Sequence, residues 1–291
     1  MQICITLSFM KNNRSELRCN QQKPNIIAIA GFDPSGGAGI LADIKTISAL
    51  GGCGRGVVTC ATAQNSKGVR QMTSFEQDIV AHQLHSILSD CEVSAIKIGV
   101  VSNPDSIIAI AKTLKAFPKI PVVLDTVLSA SANGYRFLGK TGIAALRRWL
   151  VPLAKVVTPN LGEAAEITGK LLPNNLNEMI MSAREMHKIF SYPAGKIIYL
   201  KGGHLDSNKL SDVIFDGENI KILRSKRKTG QNFHGTGCAL SSAMATLIPQ
   251  TNSLEEACRR AKAYVNGAIL ESRKLSSKES YSELNHFYKF F

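Results

Sequence analysis

The chain has 291 residues, 44% hydrophobic and 20% charged, with 23 glycines and a formal net charge of +13. That balance suits a packed globular core and excludes a disordered, collagenous or coiled-coil chain. The basic surplus fits anionic ligands such as ATP, and less well nucleic acid or an anionic membrane, because most of the Lys and Arg are scattered.

In chain order, residues 1–24 come first. Ile3–Met10 is an apolar run too short to span a bilayer, with no basic segment before it. A flexible extension is expected over 1–24, a single domain over 25–291, and no membrane segment anywhere. Seven cysteines without a Cys-x-x-Cys pair fit neither a disulfide scaffold nor a zinc ribbon and suit a reducing cytoplasm.

From Asn25 onward, β-branched runs alternate with helical periods. Ile26–Ala30 reads as a strand. Ile40, Leu41, Ile44, Ile47 and Leu50 repeat at helical spacing, and Gly51-Gly52 ends that helix. Strands follow at Val57–Thr62, Ala95–Val101, Val122–Val127, Lys155–Thr158 and Lys196–Lys201. Helices are expected at Asp78–Asp90, Asp105–Ala116, Asn177–Phe190 and Leu254–Lys274. Several strands are apolar throughout, as in a parallel sheet buried on both faces. The period predicts an α/β fold: a doubly wound, mostly parallel sheet flanked by helices. Asp212–Lys228, turning at Asp216-Gly217, predicts an antiparallel hairpin at one sheet edge. The basic run Arg224–Lys228 within it has no interleaved aromatics and reads as a solvated edge beside an anion site.

Two glycine clusters lie where a strand should give way to a helix. His234-Gly235-Thr236-Gly237-Cys238 precedes the small-residue helix Ala239–Leu247. Successive backbone amides at a helix start make a nest for an anion, and such donors stabilise a transferring phosphoryl group. The competing reading is a tight turn before a buried helix. In that first turn the helix dipole is expected to lower the Cys238 thiol pKa, so that it accepts a proton; plain packing is the alternative. The second cluster, Gly31-Phe32-Asp33-Pro34-Ser35-Gly36-Gly37-Ala38-Gly39, is neither a Walker A loop nor a dinucleotide fingerprint. His234 is expected to shape its loop. His82 and His85 share a helical face without a third metal ligand. Cys53, Cys60 and Cys91 are expected in the core, and Asp43 in solvent.

Taken together, Ala30–Leu50, Ala63-Gln64-Asn65, Ile98-Gly99, Thr158-Pro159-Asn160 with Glu163, Lys201-Gly202-Gly203-His204 and His234–Cys238 resemble the hydroxymethylpyrimidine/phosphomethylpyrimidine kinases. These are the thiamine-synthesis members of the ribokinase-like superfamily. The match is colinear from about Asn25 to about Lys274. The resemblance implies two phosphorylations of 4-amino-5-hydroxymethyl-2-methylpyrimidine, with ATP as co-substrate and Mg²⁺. It implies Cys238, Gly235, Thr236 and Gly237 at the catalytic centre. Gln64 would read the pyrimidine edge, in a pocket lined by Gly31, Asp33, Ala38, Val100 and Val127. Lys201, Asn160 and Thr236 would meet ATP, and Glu163 and Asp125 the metal. A homodimer is the expected assembly.

The chain departs from the family pattern at Val100, where a Met is usual, at Thr126 within Leu124–Leu128, at Phe32 and at Phe233. The pocket walls therefore vary while the anion and metal parts are kept. A pyridoxal or pyridoxine kinase of the same superfamily remains the alternative, as does a non-catalytic pyrimidine-binding protein on the same fold.

Overall fold

A computed structural model of the protein describes residues 23–65, 67–203, 209–228, 232–274 and 281–290. Nearly all of the expected N-terminal extension, and His204 of the Lys-Gly-Gly-His motif, lie outside the described residues. Among the described residues no helix is long and apolar enough to cross a membrane.

The strands of the large sheet are β1 (Asn25–Phe32), β2 (Cys53–Asn65), β3 (Gly68–Ser74), β4 (Ala95–Ile98), β5 (Val122–Leu124), β6 (Val156–Val157), β7 (Ile197–Leu200), β8 (Lys209–Phe215) and β9 (Ile220–Lys226). They lie side by side in the order β3-β2-β1-β4-β5-β6-β7-β8-β9. From β2 through β7 the neighbours run parallel. The β8–β9 hairpin pairs antiparallel at one edge, as expected, and β3 does so at the other. Strand β3 was not expected, and it makes β2 longer than its apolar run, carrying Gln64 into the ladder opposite Val69. A small second sheet has the order β10-β12-β11. Its strands β10 (Asn232–Phe233), β11 (Arg273–Lys274) and β12 (Tyr281–Glu283) are only two or three residues long.

The helices are α1 (Gly39–Ala49), α2 (Gln77–Asp90), α3 (Pro104–Lys115), α4 (Lys140–Ala145), α5 (Leu161–Thr168), α6 (Leu176–Ile189), α7 (Thr236–Leu247) and α8 (Leu254–Leu270). Their ends follow local chemistry. Asn103 accepts from the Asp105 amide at the start of α3, with Pro104 in the first turn and Lys112 and Lys115 in the last. Helix α8 stops at Leu270, four residues before the expected end, and Lys228 Nζ donates to the Ile269 and Leu270 carbonyls there.

The helices form two layers. Side chains of α1, α7 and α8 pack on one face of the sheet, and those of α2 to α6 on the other. Strand β1 serves both cores by its period of two: Ile27 and Ile29 face one, Ile26, Ala28 and Ala30 the other. All five are essentially inaccessible, and each buried Ile contributes about 1.5–3 kcal/mol. The strand order reverses at β1 and β4, which opens a crevice beyond the carboxyl ends of the parallel strands.

Candidate active site

Every residue expected at the site lines one cleft in that crevice. Gly31 and Gln64 are the penultimate residues of β1 and β2, and Val100 follows β4. Asp125 and Val127 follow β5, Asn160 and Glu163 follow β6, and Lys201 follows β7. The loop Gly235–Cys238 closes the cleft from the start of α7.

The anion loop forms because Gly235 takes a left-handed conformation (φ 80°) as the N-cap of α7, which puts Thr236, Gly237 and Cys238 in the first turn. A Cβ on Gly235 would run into the Gly37 carbonyl. The two glycine clusters therefore meet backbone to backbone. A Cβ on Gly237 would lie 3.4 Å from Lys201 Nζ and 3.7 Å from Asp125 Oδ2, so this glycine faces the charged centre.

Lys201 is the hub of that centre. Its ammonium lies 2.9 Å from Asp125 Oδ1 and 3.8 Å from Glu163 Oε2. Asp125 also accepts from Thr158 Oγ1 at 3.0 Å and from Ser241 Oγ at 3.2 Å. Burial alone would raise the Asp125 pKa, but Lys201 and then Lys97 outweigh it and hold the carboxyl below its usual range. Burial pushes Glu163 up to about 7, with Lys201 opposing and Asp125 adding to the rise. Glu163 is fixed by a capping box: its Oε2 accepts from the Asn160 amide at 2.8 Å, while Asn160 Oδ1 accepts from the Glu163 amide at 2.8 Å. Burial would lower the Lys201 pKa, yet its two carboxylates raise it, so the ammonium stays charged.

Asp125 and Glu163 offer oxygens of the type magnesium favours. Among the described residues no cluster of three or more His, Cys, Asp or Glu could form a closed metal cage. That donor set fits an ion that keeps several waters and arrives with the phosphates of its nucleotide.

The expected lowering of the Cys238 thiol is not found. Burial pushes it up to about 11; Lys97 pulls it down, but Asp43 and Asp125 push it further up. Desolvation at the foot of the cleft, with Asp43 and Asp125, outweighs Lys97, and a filled cleft would be drier still. The thiol is therefore neutral in the resting protein.

The substrate end is built on Asp33, whose Oδ1 accepts from Ser35 N at 2.9 Å and Ser35 Oγ at 2.8 Å. Its Oδ2 accepts from Ala38 N at 2.9 Å and lies 2.9 Å from His234 Nε2. Gln64 Nε2 is 3.0 Å from His234 Nε2 and 3.4 Å from Asp33 Oδ2. His234 therefore does shape its loop, by tying it to both Asp33 and Gln64. Phe32, Phe137, Phe233 and Val100 supply apolar walls.

Asp43 is not solvated. It is fully buried, 2.6 Å from Lys97 Nζ, and Ser242 Oγ donates to it at 2.7 Å. A signal for this was present in the sequence: Asp43 falls at helical spacing between the apolar Ile40 and Ile47, and Lys97 interrupts the apolar strand Ala-Ile-Lys-Ile. Of the three cysteines expected in the core, Cys60 is buried, Cys91 half-buried and Cys53 exposed. Phe137 and Ser129–Ser131 also line the cleft and were missed, since they come from irregular chain after β5.

A family profile described as phosphomethylpyrimidine kinase matches residues 33–283. A hydroxymethylpyrimidine/phosphomethylpyrimidine kinase of Rhizobium meliloti is 41% identical over 263 residues, 90% of this chain and 97% of that one. Among solved structures, the pyridoxal kinase of Bacillus subtilis in an ADP complex superposes with a TM-score of 0.79 at 31% identity, covering 90% of this chain and 98% of that one. The phosphomethylpyrimidine kinase of Clostridium difficile superposes with a TM-score of 0.73 at 35% identity, covering 85% of this chain and all (100%) of that one.

Proposed function

The chain belongs to the phosphomethylpyrimidine kinase family, and we propose that it phosphorylates 4-amino-5-hydroxymethyl-2-methylpyrimidine with ATP, first to the monophosphate and then to the diphosphate. The product is the pyrimidine precursor for thiamine diphosphate synthesis. One observation carries this reading: the anion loop, the Lys201 cluster and the Gln64 end share a single cleft.

Each part has a task. The Thr236, Gly237 and Cys238 amides at the start of α7 point at an anion and stabilise charge on the equatorial oxygens in transfer. Lys201, held charged by Asp125, meets the phosphates, with Asn160 and Thr236 beside it. Asp125, and Glu163 through water, would hold a magnesium ion arriving with ATP, which would neutralise phosphate charge. The substrate hydroxyl oxygen forms the new bond to the γ-phosphorus as the bond to ADP breaks, and its proton passes to Cys238 in its minor thiolate form, whose own proton has already gone to solvent. A thiol near 11 is rarely ionised at neutral pH, but its thiolate is a strong base. The monophosphate attacks through an oxygen already anionic near neutral pH, so the second transfer needs no base. Gln64, with Gly31, Asp33, Ala38, Val100 and Val127 around it, reads the aminopyrimidine edge, because an amide has one donor and one acceptor group.

The pyridoxal kinase reading is favoured by the Bacillus subtilis structure. Initial rates of ADP release with the hydroxymethylpyrimidine, pyridoxal and pyridoxine in parallel separate the two. Preference for the pyrimidine is expected, and preference for pyridoxal would reverse the assignment. A homodimer is inferred from family resemblance alone, and a cytoplasmic location from the cysteine usage alone. Equilibrium sedimentation tests the first.

A further inference from the structure

The Gln64 amide sits in a network whose proton count determines its orientation. Thr62 Oγ1 lies 3.0 Å from the Phe32 carbonyl and 3.3 Å from Gln64 Oε1. A hydroxyl has one proton; given to the carbonyl, it leaves Oγ1 as an acceptor toward Gln64. On the other side, burial would raise the Asp33 pKa, but hydrogen bonds from His234 and Ser35 hold it below the usual range, so Asp33 is acceptor only. The 2.9 Å contact from Asp33 Oδ2 to His234 Nε2 therefore needs its proton on Nε2.

Gln64 thus has a donor, His234 Nε2–H, on one side and an acceptor, Thr62 Oγ1, on the other. With its nitrogen toward His234, the amide sets donor against donor at 3.0 Å. Turned by half a rotation, its nitrogen donates to Thr62 Oγ1 and its oxygen shares the His234 proton with Asp33 Oδ2. It gives up only the long 3.4 Å contact from Gln64 Nε2 to Asp33 Oδ2. Amide nitrogen and oxygen differ so little in shape that only such partners choose between the two orientations.

We propose that His234, held Nε2-protonated by Asp33, fixes the orientation of the Gln64 amide and so the donor–acceptor order the cleft offers its ligand. His234 is a positioning residue for specificity, acting through Gln64 without touching the reacting atoms. The proposal rests on the reading of Gln64 as the pyrimidine-reading residue. A 4-aminopyrimidine presents an exocyclic donor beside a ring acceptor, and the 4-oxo analogue presents the reverse. A fixed amide distinguishes these two ligands of nearly equal shape; an amide free to turn serves both.

The test compares kcat/KM for the 4-amino and 4-oxo hydroxymethylpyrimidines in the wild type, His234→Leu, His234→Gln and Thr62→Val. The wild type should favour the amino compound by roughly 10-fold or more, the scale of one mispaired buried polar group. His234→Leu should reduce that ratio to within about 3-fold, the residue of two nearly equivalent amide orientations. His234→Gln keeps an N–H donor for Asp33 and Gln64 and should retain most of the ratio. Thr62→Val removes the opposite anchor with little change of shape, and should lower the ratio even if His234→Leu fails to fold. A wild type that does not discriminate, or a ratio unchanged in the folded variants, would overturn the proposal while leaving the kinase assignment intact. A wild type inactive on the amino compound would overturn the kinase assignment itself.

Discussion

The Lys97 ammonium lies 2.6 Å from the Asp43 carboxylate with both side chains withdrawn from solvent, which joins β4 to α1 beneath the anion loop. Ser242, four residues after Cys238 and so on the same face of α7, donates to the other carboxylate oxygen. Burial would lower the Lys97 pKa, but Asp43 outweighs it and keeps the ammonium charged. Lys97→Met would strand Asp43, and breaking a buried pair costs about 3–5 kcal/mol. Replacing both by apolar residues, as Lys97→Met with Asp43→Leu, should recover most of that loss. Urea unfolding reads both. A single variant as stable as the wild type would mean that Asp43 takes up a proton without penalty.

The two transfers should separate by pH. Only the thiolate accepts the alcohol proton, and the thiol is neutral below about 11, so the first transfer should speed up as pH rises across the neutral and mildly alkaline range. The monophosphate is already anionic above pH ~6 and Glu163 is ionised above about 7, so at mildly alkaline pH the second transfer should be flat while the first still rises. Cys238→Ala should remove the rising limb from the first transfer and harm the second less. Parallel profiles for both steps would assign Cys238 to packing instead.

Two glycines of the anion loop should fail differently. Gly237 has ordinary contact distances around its missing Cβ, 3.4 Å to Lys201 Nζ, so Gly237→Val should fold and crowd the phosphate space. Turnover should fall on the order of 10²-fold or more with pyrimidine binding little changed. Gly235→Ala places a Cβ in a left-handed residue against the Gly37 carbonyl and should lower stability instead. Circular dichroism melts beside turnover distinguish the cases; near-normal turnover in folded Gly237→Val would remove the anion-hole role.

The anion loop was legible because the glycines around Asp33 and Cys238 mark close backbone approach, while Gln64, Lys201, Asn160, Glu163 and Asp125 were placed by the family resemblance. The burial of Asp43 and of Lys97 was signalled separately, but their pairing was hidden because they meet only through tertiary packing, 54 positions apart. Strand β3 lacks the period of two: Gly68 and Val69 are buried together, and Arg70 and Gln71 are exposed together. The Cys238 thiol was misread because a dipole argument is local, whereas desolvation depends on everything that covers the residue.

Gln64 should select the ring. A buried amide left without a partner costs ~1–3 kcal/mol, roughly a 5- to 150-fold penalty on a ligand such as pyridoxal that lacks the amine. Gln64→Leu should weaken the aminopyrimidine and narrow its advantage over pyridoxal, with ATP affinity unchanged. Calorimetric titration with each ligand checks this, and an unchanged preference would remove the hydrogen-bond account of selectivity.

The central claim is two successive phosphoryl transfers at one site, and a product time course tests it most directly. Phosphorus NMR of the purified protein with magnesium, excess ATP and the hydroxymethylpyrimidine should show monophosphate rising first, then falling as diphosphate accumulates. With Gly237→Val both products should be lost together, because both transfers use the same loop. Monophosphate that never advances to diphosphate, or no phosphorylated pyrimidine while pyridoxal is turned over, would contradict the account.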